Sequence, residues 1–230
     1  MKILCSICAR AGSKGIKNKN ILKINGKSLI ERTILQAKKT KIFHSIVVST
    51  DSIKIKKIAQ KLKVNYIINR NRKLSSDHAD KLSVIKNLLF NSEKYFNKRF
   101  DIIIDLDVTS PLRTVLDIKK SYKKFINKNS SNLLSVCKAR KNPYFNLIEF
   151  KNNKYNLVKR LGKKKYFNRQ STPLVYEANA AIYIWKRITL IKSNSLFNNR
   201  TSLYVMPFSR SIDIDNREDL KLVKFFLNNN

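Results

Sequence analysis

A chain of 230 residues, 43% hydrophobic and 10% aromatic, has the apolar content for one large α/β domain or such a domain with an appendage. Its regularly spaced apolar runs exclude the low-complexity and disordered classes; no run approaches the roughly 20 residues of a membrane helix, and the run 3–9 is too short for a signal peptide and ends at Arg10. Lys and Arg number 49 against 15 Asp and Glu, a formal charge of +34 that raises nucleic acid as a partner, but the excess is Lys scattered with Asn, Ile, Phe and Tyr, as AT-rich coding produces.

Short apolar runs at 2–9, 45–50, 65–68, 101–107 and 132–138 read as strands. Helices are expected between them. Ser28 and Glu31 form a capping box ahead of Leu29, Ile30, Ile34 and Ala37, and apolar residues recur at three- and four-residue spacing over 52–62, 81–90 and 115–126. Strands alternating with helices predict a three-layer α/β fold with a mostly parallel sheet and ligands beyond the carboxyl ends of its strands. The rhythm breaks at 141–175, a polar, Lys- and Asn-rich insertion with hairpin-like runs at 147–150 and 155–158. It resumes at 180–185 and 203–207 and closes with a helix over 217–227, so 1–140 and 176–230 form the main domain. Cys5 and Cys8 fall on opposite faces of the first strand, which argues against a CxxC zinc or redox pair and for a reduced, cytoplasmic protein; Cys137 reads as core.

Three of the four glycines are Gly12, Gly15 and Gly26. The loop 9–20 after the first strand matches neither a P-loop nor a dinucleotide fingerprint. It offers backbone N–H groups beside Arg10, Lys14 and Lys19, a cradle for a triphosphate, although an ordinary glycine turn with solvated lysines fits the loop taken alone equally well. Asp213 and Asp215 stand two apart in an extended segment, so both carboxylates project to one face, as a hard divalent ion held partly by phosphates requires; Asp215 capping the last helix is the other reading. Thr109 to Arg113 sits where a strand hands over to a helix, with Pro111 as its start and Arg113 in its first turn.

Ala9-Arg10, Ser13-Lys14-Gly15 and Lys19-Asn20 follow the pattern ARxxSKGxxxKN, and with it the chain resembles the CMP-sialic acid synthetase family of nucleotide-sugar pyrophosphorylases. The resemblance continues, in order, through Val48 to Asp51, Arg70 with Leu74 to Asp77, Thr109 to Arg113, Arg169-Gln170, Asn179 with Ala181 to Tyr183, and Ser211 to Asp215. It implies a magnesium-dependent, homodimeric cytidylyltransferase that activates an acidic nine-carbon sugar with CTP. The 141–175 insertion would serve as the dimerisation and sugar-binding arm. The nucleotide would be held by Ala9, Arg10, Gly12, Ser13, Lys14, Asn20, Arg70, Ala79 and Lys81, and the ion, Mg²⁺, by Asp213 and Asp215. Arg10, Lys19, Asp107 and Asp215 would be catalytic, with either Asp107 or a metal-bound hydroxide as general base. The sugar would meet Asp107, Thr109, Ser110, Arg113, Phe145, Arg169, Gln170, Asn179 and Tyr183, with the Arg169 guanidinium gripping its carboxylate in a forked pair of hydrogen bonds.

Asp107-Val108 stands where the sialic acid enzymes commonly carry Gln-Pro, Phe145 where a Lys is common and Lys81 where a Ser is common. The Asp-Leu-Asp run at 105–107 and the segment 142–147 resemble the legionaminic acid branch. Tyr144 and Phe145 would give an apolar surface for that sugar's far end. A sibling enzyme for pseudaminic acid or Kdo is the first rival. A basic nucleic-acid-binding protein is the second; it lacks the aromatic-interleaved basic strand or charged helix that such proteins use, so no specific nucleic acid and no membrane partner is expected.

Overall fold

The structure is a computed structural model and describes residues 1–12, 15–76, 79–162, 166, 168 and 170–229, with the backbone alone at residue 72. The described residues form strands β1 (Ile3–Cys8), β2 (Lys23–Ile24), β3 (Lys27–Ser28), β4 (Ser45–Thr50), β5 (Tyr66–Asn69), β6 (Ile102–Leu106), β7 (Asn132–Lys138), β8 (Ile148–Lys151), β9 (Lys154–Leu157), β10 (Tyr176–Lys186) and β11 (Thr201–Val205). The helices are α1 (Leu29–Thr40), α2 (Ile53–Lys61), α3 (Arg72–Ser75), α4 (Lys81–Phe96), α5 (Val115–Asn127), α6 (Arg187–Lys192) and α7 (Arg217–Asn228).

Seven strands make one sheet in the order β11-β7-β10-β6-β1-β4-β5. Every pairing is parallel except those of β10, which runs antiparallel to both β6 and β7. The central strands are apolar on both faces because both faces are covered. Cys5, Ile7, Ile102 and Ile104 pack with α1, α2, α5 and α7; Leu4, Ile103, Leu134 and Trp185 pack with α4 and α6. This is the expected three-layer fold. Each fully buried aliphatic side chain contributes about 1.5–3 kcal/mol, so the two-sided core dominates stability.

Local chemistry sets the element ends. The Ser28–Glu31 capping box opens α1 as the sequence implies, worth about 1 kcal/mol. Helix α4 runs past position 90 through a polar stretch in which the buried Ser92 hydroxyl is satisfied by the Leu88 carbonyl at 2.7 Å and Glu93 is held by both arms of Arg187 at 2.8 and 2.9 Å. Thr114, not Pro111, marks the start of α5, in a second capping box with Asp117, so Arg113 precedes the helix. Asn216 rather than Asp215 caps α7. Strand β10 begins earlier than its apolar run and carries a bulge between Ala178 and Tyr183, where Ala180 adopts φ 54°. That kink turns Asn179 into the interior. Between β7 and β10 the chain leaves the sheet, and among the described residues β8 and β9 pair only with each other. No helix among the described residues is long and apolar enough to cross a membrane.

Candidate active site

Beyond the carboxyl ends of β1, β5 and β6 lies a cleft of about 410 Å³. Its first wall is the loop after β1. The Ala9 amide donates to the Ser49 carbonyl at 3.0 Å and the Ala11 amide to Asp51 Oδ1 at 2.7 Å, while the buried Asn20 side chain closes the loop on itself by donating to the Arg10 carbonyl at 2.9 Å. Gly15 packs so tightly that a Cβ there would lie 1.8 Å from the Asp215 carbonyl oxygen. Lys19 bridges the same junction, donating to the Ile214 carbonyl at 2.5 Å and to Asp215 Oδ1 at 2.9 Å.

The second wall follows β5. Arg70 donates through Nε to the Leu74 carbonyl at 2.7 Å, and Arg10 reaches the Ser75 carbonyl at 3.4 Å, so two guanidinium groups converge on one turn beside Ala79. On the floor, Lys81 Nζ lies 2.7 Å from Asp107 Oδ2, 3.2 Å from Asp105 Oδ2 and 4.4 Å from the centre of the Tyr183 ring. Burial opposes its protonation, but the charges of Asp107 and Asp105 outweigh it and hold the Lys81 pKa above its ordinary value. The Asp107 carboxyl shows the converse: burial would raise its pKa, yet Lys81 and the amide and hydroxyl of Thr109 hold it well below the usual carboxylate range.

The third wall carries the acidic pair. Ile214 is buried between Asp213 and Asp215, and both carboxylates line the cleft. Asp213 Oδ1 is buried with no hydrogen-bond partner among the described residues. Burial, followed by the charge of Asp107, pushes the Asp213 carboxyl up to about 6. Among the described residues, four cations (Arg10, Lys19, Arg70, Lys81) thus face four carboxylates (Asp105, Asp107, Asp213, Asp215) in one cavity.

Of the residues singled out in the sequence, Arg10, Lys19, Asn20, Arg70, Ala79, Lys81, Asp107, Thr109, Asp213 and Asp215 line this cleft. Others lie beneath it. Arg113 is a correction: its guanidinium is fully buried and donates to the Asp107 and Ala181 carbonyls at 2.9 and 2.6 Å and to Gln36 Oε1 at 3.0 Å, so it fixes the 107–113 loop from within and has no surface toward a sugar. Asn179 is likewise buried, accepting from Ser135 Oγ at 2.6 Å and donating to Ser211 Oγ at 2.9 Å. Ser110 donates to the Asn179 carbonyl at 3.4 Å, and Tyr183 and Ala9 are buried. Gly12 faces open space, while Phe145 and Gln170 belong to the segment between β7 and β10 and do not line the cleft; Gln170 borders a separate hollow with Asn142 and Thr172. Ser13, Lys14 and Arg169 lie outside the described residues. Asp105, on β6, was missed, although its two-residue offset from Asp107, just past the end of that strand, brings both carboxylates to the floor of the cleft. The apolar lining from Cys8, Val84 and Ile85 carried no sequence signal beyond its helix and strand periodicity.

With this geometry in view, the chain matches the family described as Cytidylyltransferase over residues 4–230. It is 45% identical over 226 residues to the post-translational flagellin modification protein B of Campylobacter coli, covering 98% of this chain and 95% of that protein. The same identity and coverage relate it to the CMP-N,N'-diacetyllegionaminic acid synthase of Campylobacter jejuni. Among solved structures, CMP:2-keto-3-deoxy-manno-octonic acid synthetase complexed with CTP aligns with a TM-score of 0.71 at 15% identity, covering 100% of this chain and 99% of that one, a likeness of fold. On its match across nearly the whole sequence, the chain belongs to the cytidylyltransferase family.

Proposed function

We propose that this chain transfers CMP from CTP to the anomeric hydroxyl of a nonulosonic acid, releasing pyrophosphate, and that its sugar is N,N'-diacetyllegionaminic acid. The observation that carries the reaction is the meeting of the glycine loop, Lys19 and the Asp213/Asp215 pair at one junction of a cleft ringed by Arg10 and Arg70. The sugar rests on the 45% identity to one CMP-N,N'-diacetyllegionaminic acid synthase, against 33% for N-acylneuraminate cytidylyltransferases and 31% both for pseudaminic acid cytidylyltransferases and for a second N,N'-diacetyllegionaminic acid enzyme.

In the reaction the sugar oxygen forms a bond to the α-phosphorus as the bond from that phosphorus to the bridging oxygen of the departing pyrophosphate breaks, the hydroxyl proton passing to water, and positioning with charge stabilisation supplies most of the acceleration. Arg10, Arg70 and Lys19 bring fixed positive charge to the phosphates. Asp107 is a weak proton acceptor, because its carboxylate is committed to Lys81 and Thr109; it organises the floor rather than deprotonating the sugar.

Magnesium fits Asp213 and Asp215. A buried carboxylate oxygen without a partner is what a cation would satisfy, and no group of three or more His, Cys, Asp or Glu among the described residues forms a full cage, so phosphate and water would complete the shell. Bound there, the ion would neutralise and polarise phosphate oxygens. The segment between β7 and β10 supports a homodimer, since its isolated hairpin leaves Ile148, Phe150 and Tyr155 exposed at 65%, 63% and 80%, and a two-stranded hairpin is marginal alone. Three free thiols support a reducing, cytoplasmic setting, which recovery in an extracytoplasmic fraction would contradict.

Pyrophosphate release should require CTP and be highest with N,N'-diacetyllegionaminic acid, with weaker turnover of N-acetylneuraminic acid. Equal rates with ATP or UTP would refute the nucleotide, and equal kcat/KM for the two sugars would refute the sugar. Light scattering at micromolar concentration should give twice the chain mass; a monomer contradicts the dimer.

Asp213 gives a test of the ion site independent of turnover. Its folded pKa of about 6 lies above the unfolded value of about 3.9, so between these values the folded state binds more protons and stability falls as pH rises. The unfavourable contribution is complete above pH 6 and absent below about pH 4. Asp213→Asn should therefore raise the Tm of protein in EDTA at pH 8 by a few degrees, with the gain vanishing near pH 4, while turnover falls at least about tenfold. A lower Tm than wild type at pH 8 would contradict this account of Asp213.

A further inference from the structure

Lys81 occupies a position that the reaction does not explain. It is the first residue of α4, whose N-cap Asp80 accepts from the Ser83 amide at 3.1 Å, so its backbone is anchored. From there its ammonium reaches down between two carboxylates of the cleft floor, 2.7 Å from Asp107 and 3.2 Å from Asp105. Neither carboxylate is loose. Ser6 donates to Asp105 Oδ1 at 2.6 Å, and Thr109 donates twice to Asp107 Oδ1, leaving on each side chain the Oδ2 that faces Lys81. One point within contact of two fixed Oδ2 atoms is where a cation shared by Asp105 and Asp107 would sit, and the lysine nitrogen is already there.

We propose that Lys81 is a resident cation standing in for a second divalent ion: it holds Asp105 and Asp107 out of metal coordination and confines divalent binding to Asp213 and Asp215. The inference rests on the magnesium site proposed above. Its physical basis is charge. Without Lys81, Asp105 and Asp107 would lose the one ammonium that touches both, leaving two negative charges beside Asp213 that only the more distant guanidinium groups of Arg70 and Arg113 offset, on the floor of a cleft that has to admit a triphosphate and a sugar acid. A tethered ammonium removes that repulsion at all times, whereas a second free ion would have to be captured with each substrate. Hard oxygen ligands paired in this way take Mg²⁺ or Mn²⁺ once the competing ammonium is gone.

The test is titration of the folded chain with Mn²⁺ alone, the free ion being counted by electron paramagnetic resonance and the fold checked by circular dichroism. Wild type and Lys81→Arg should bind one Mn²⁺ per chain, Lys81→Ser should bind two, and Lys81→Ser combined with Asp107→Asn should return to one. In the wild-type background, Asp107→Asn should change Mn²⁺ affinity by no more than a few-fold, the through-space effect of a charge that is not a ligand, whereas Asp213→Asn should weaken it at least about tenfold, as loss of a charged ligand requires. A folded Lys81→Ser that still binds one ion overturns the proposal. So does a tenfold weakening by Asp107→Asn alone, a result that decides the matter even if Lys81→Ser fails to fold. Unchanged affinity in Asp213→Asn instead refutes the ion's placement, a failure distinct from that of Lys81.

Discussion

The backbone contact between Gly15 and Asp215 is the constraint on which the cleft depends. These residues come from opposite ends of the chain, and a methyl group at position 15 would lie 1.8 Å from the Asp215 oxygen, well inside contact distance. Only glycine permits the approach. Because the loop rests on the acidic segment, Lys19 can reach both the Ile214 carbonyl and the Asp215 carboxylate, and the groups that would meet the phosphates and the ion are set in one frame. Loop and acidic pair are thus one site by packing, before any ligand arrives.

That frame needs support from behind, and buried polar groups supply it. The Ile214 amide donates to the Thr109 carbonyl at 3.0 Å, tying the acidic segment to the loop that follows β6. Ser211 receives Asn179 from the β10 bulge. Arg210 forks onto the buried Asp117 with both contacts at 3.0 Å, and Tyr204 adds its hydroxyl at 3.2 Å, so the residues leading into Asp213 are held against the start of α5. Asp117 is buried but the Arg210 guanidinium is partly open to solvent, which screens the pair, so losing Arg210 matters chiefly by leaving the buried Asp117 carboxylate short of donors. Arg113 performs the same service for the 107–113 loop with carbonyl partners alone.

What could be read in the sequence follows from this division. Strands β1, β4, β6 and β7 were legible because both their faces are buried, and α1 because Ser28 and Glu31 cap it locally. The residues that line the cleft were legible where they sit on short motifs in the segments linking strands and helices, such as Arg10, Lys19 and the Asp213/Asp215 pair. Arg113 and Asn179 were not. A polar side chain buried by partners far along the chain, Gln36 in one case and Ser135 and Ser211 in the other, looks the same in sequence as one facing a ligand. The β10 bulge that inverts Asn179 has no glycine to announce it, and the left-handed Ala180 is sustained by its tertiary surroundings.

The most direct test of the packed junction is Gly15→Ala, with binding of CTP and of Mn²⁺ measured separately by calorimetry. If the loop and the acidic pair form one unit, the added methyl displaces both, and each affinity falls at least about tenfold while the far-ultraviolet spectrum is preserved. Loss of CTP binding with Mn²⁺ binding intact, or no loss of either, would contradict it.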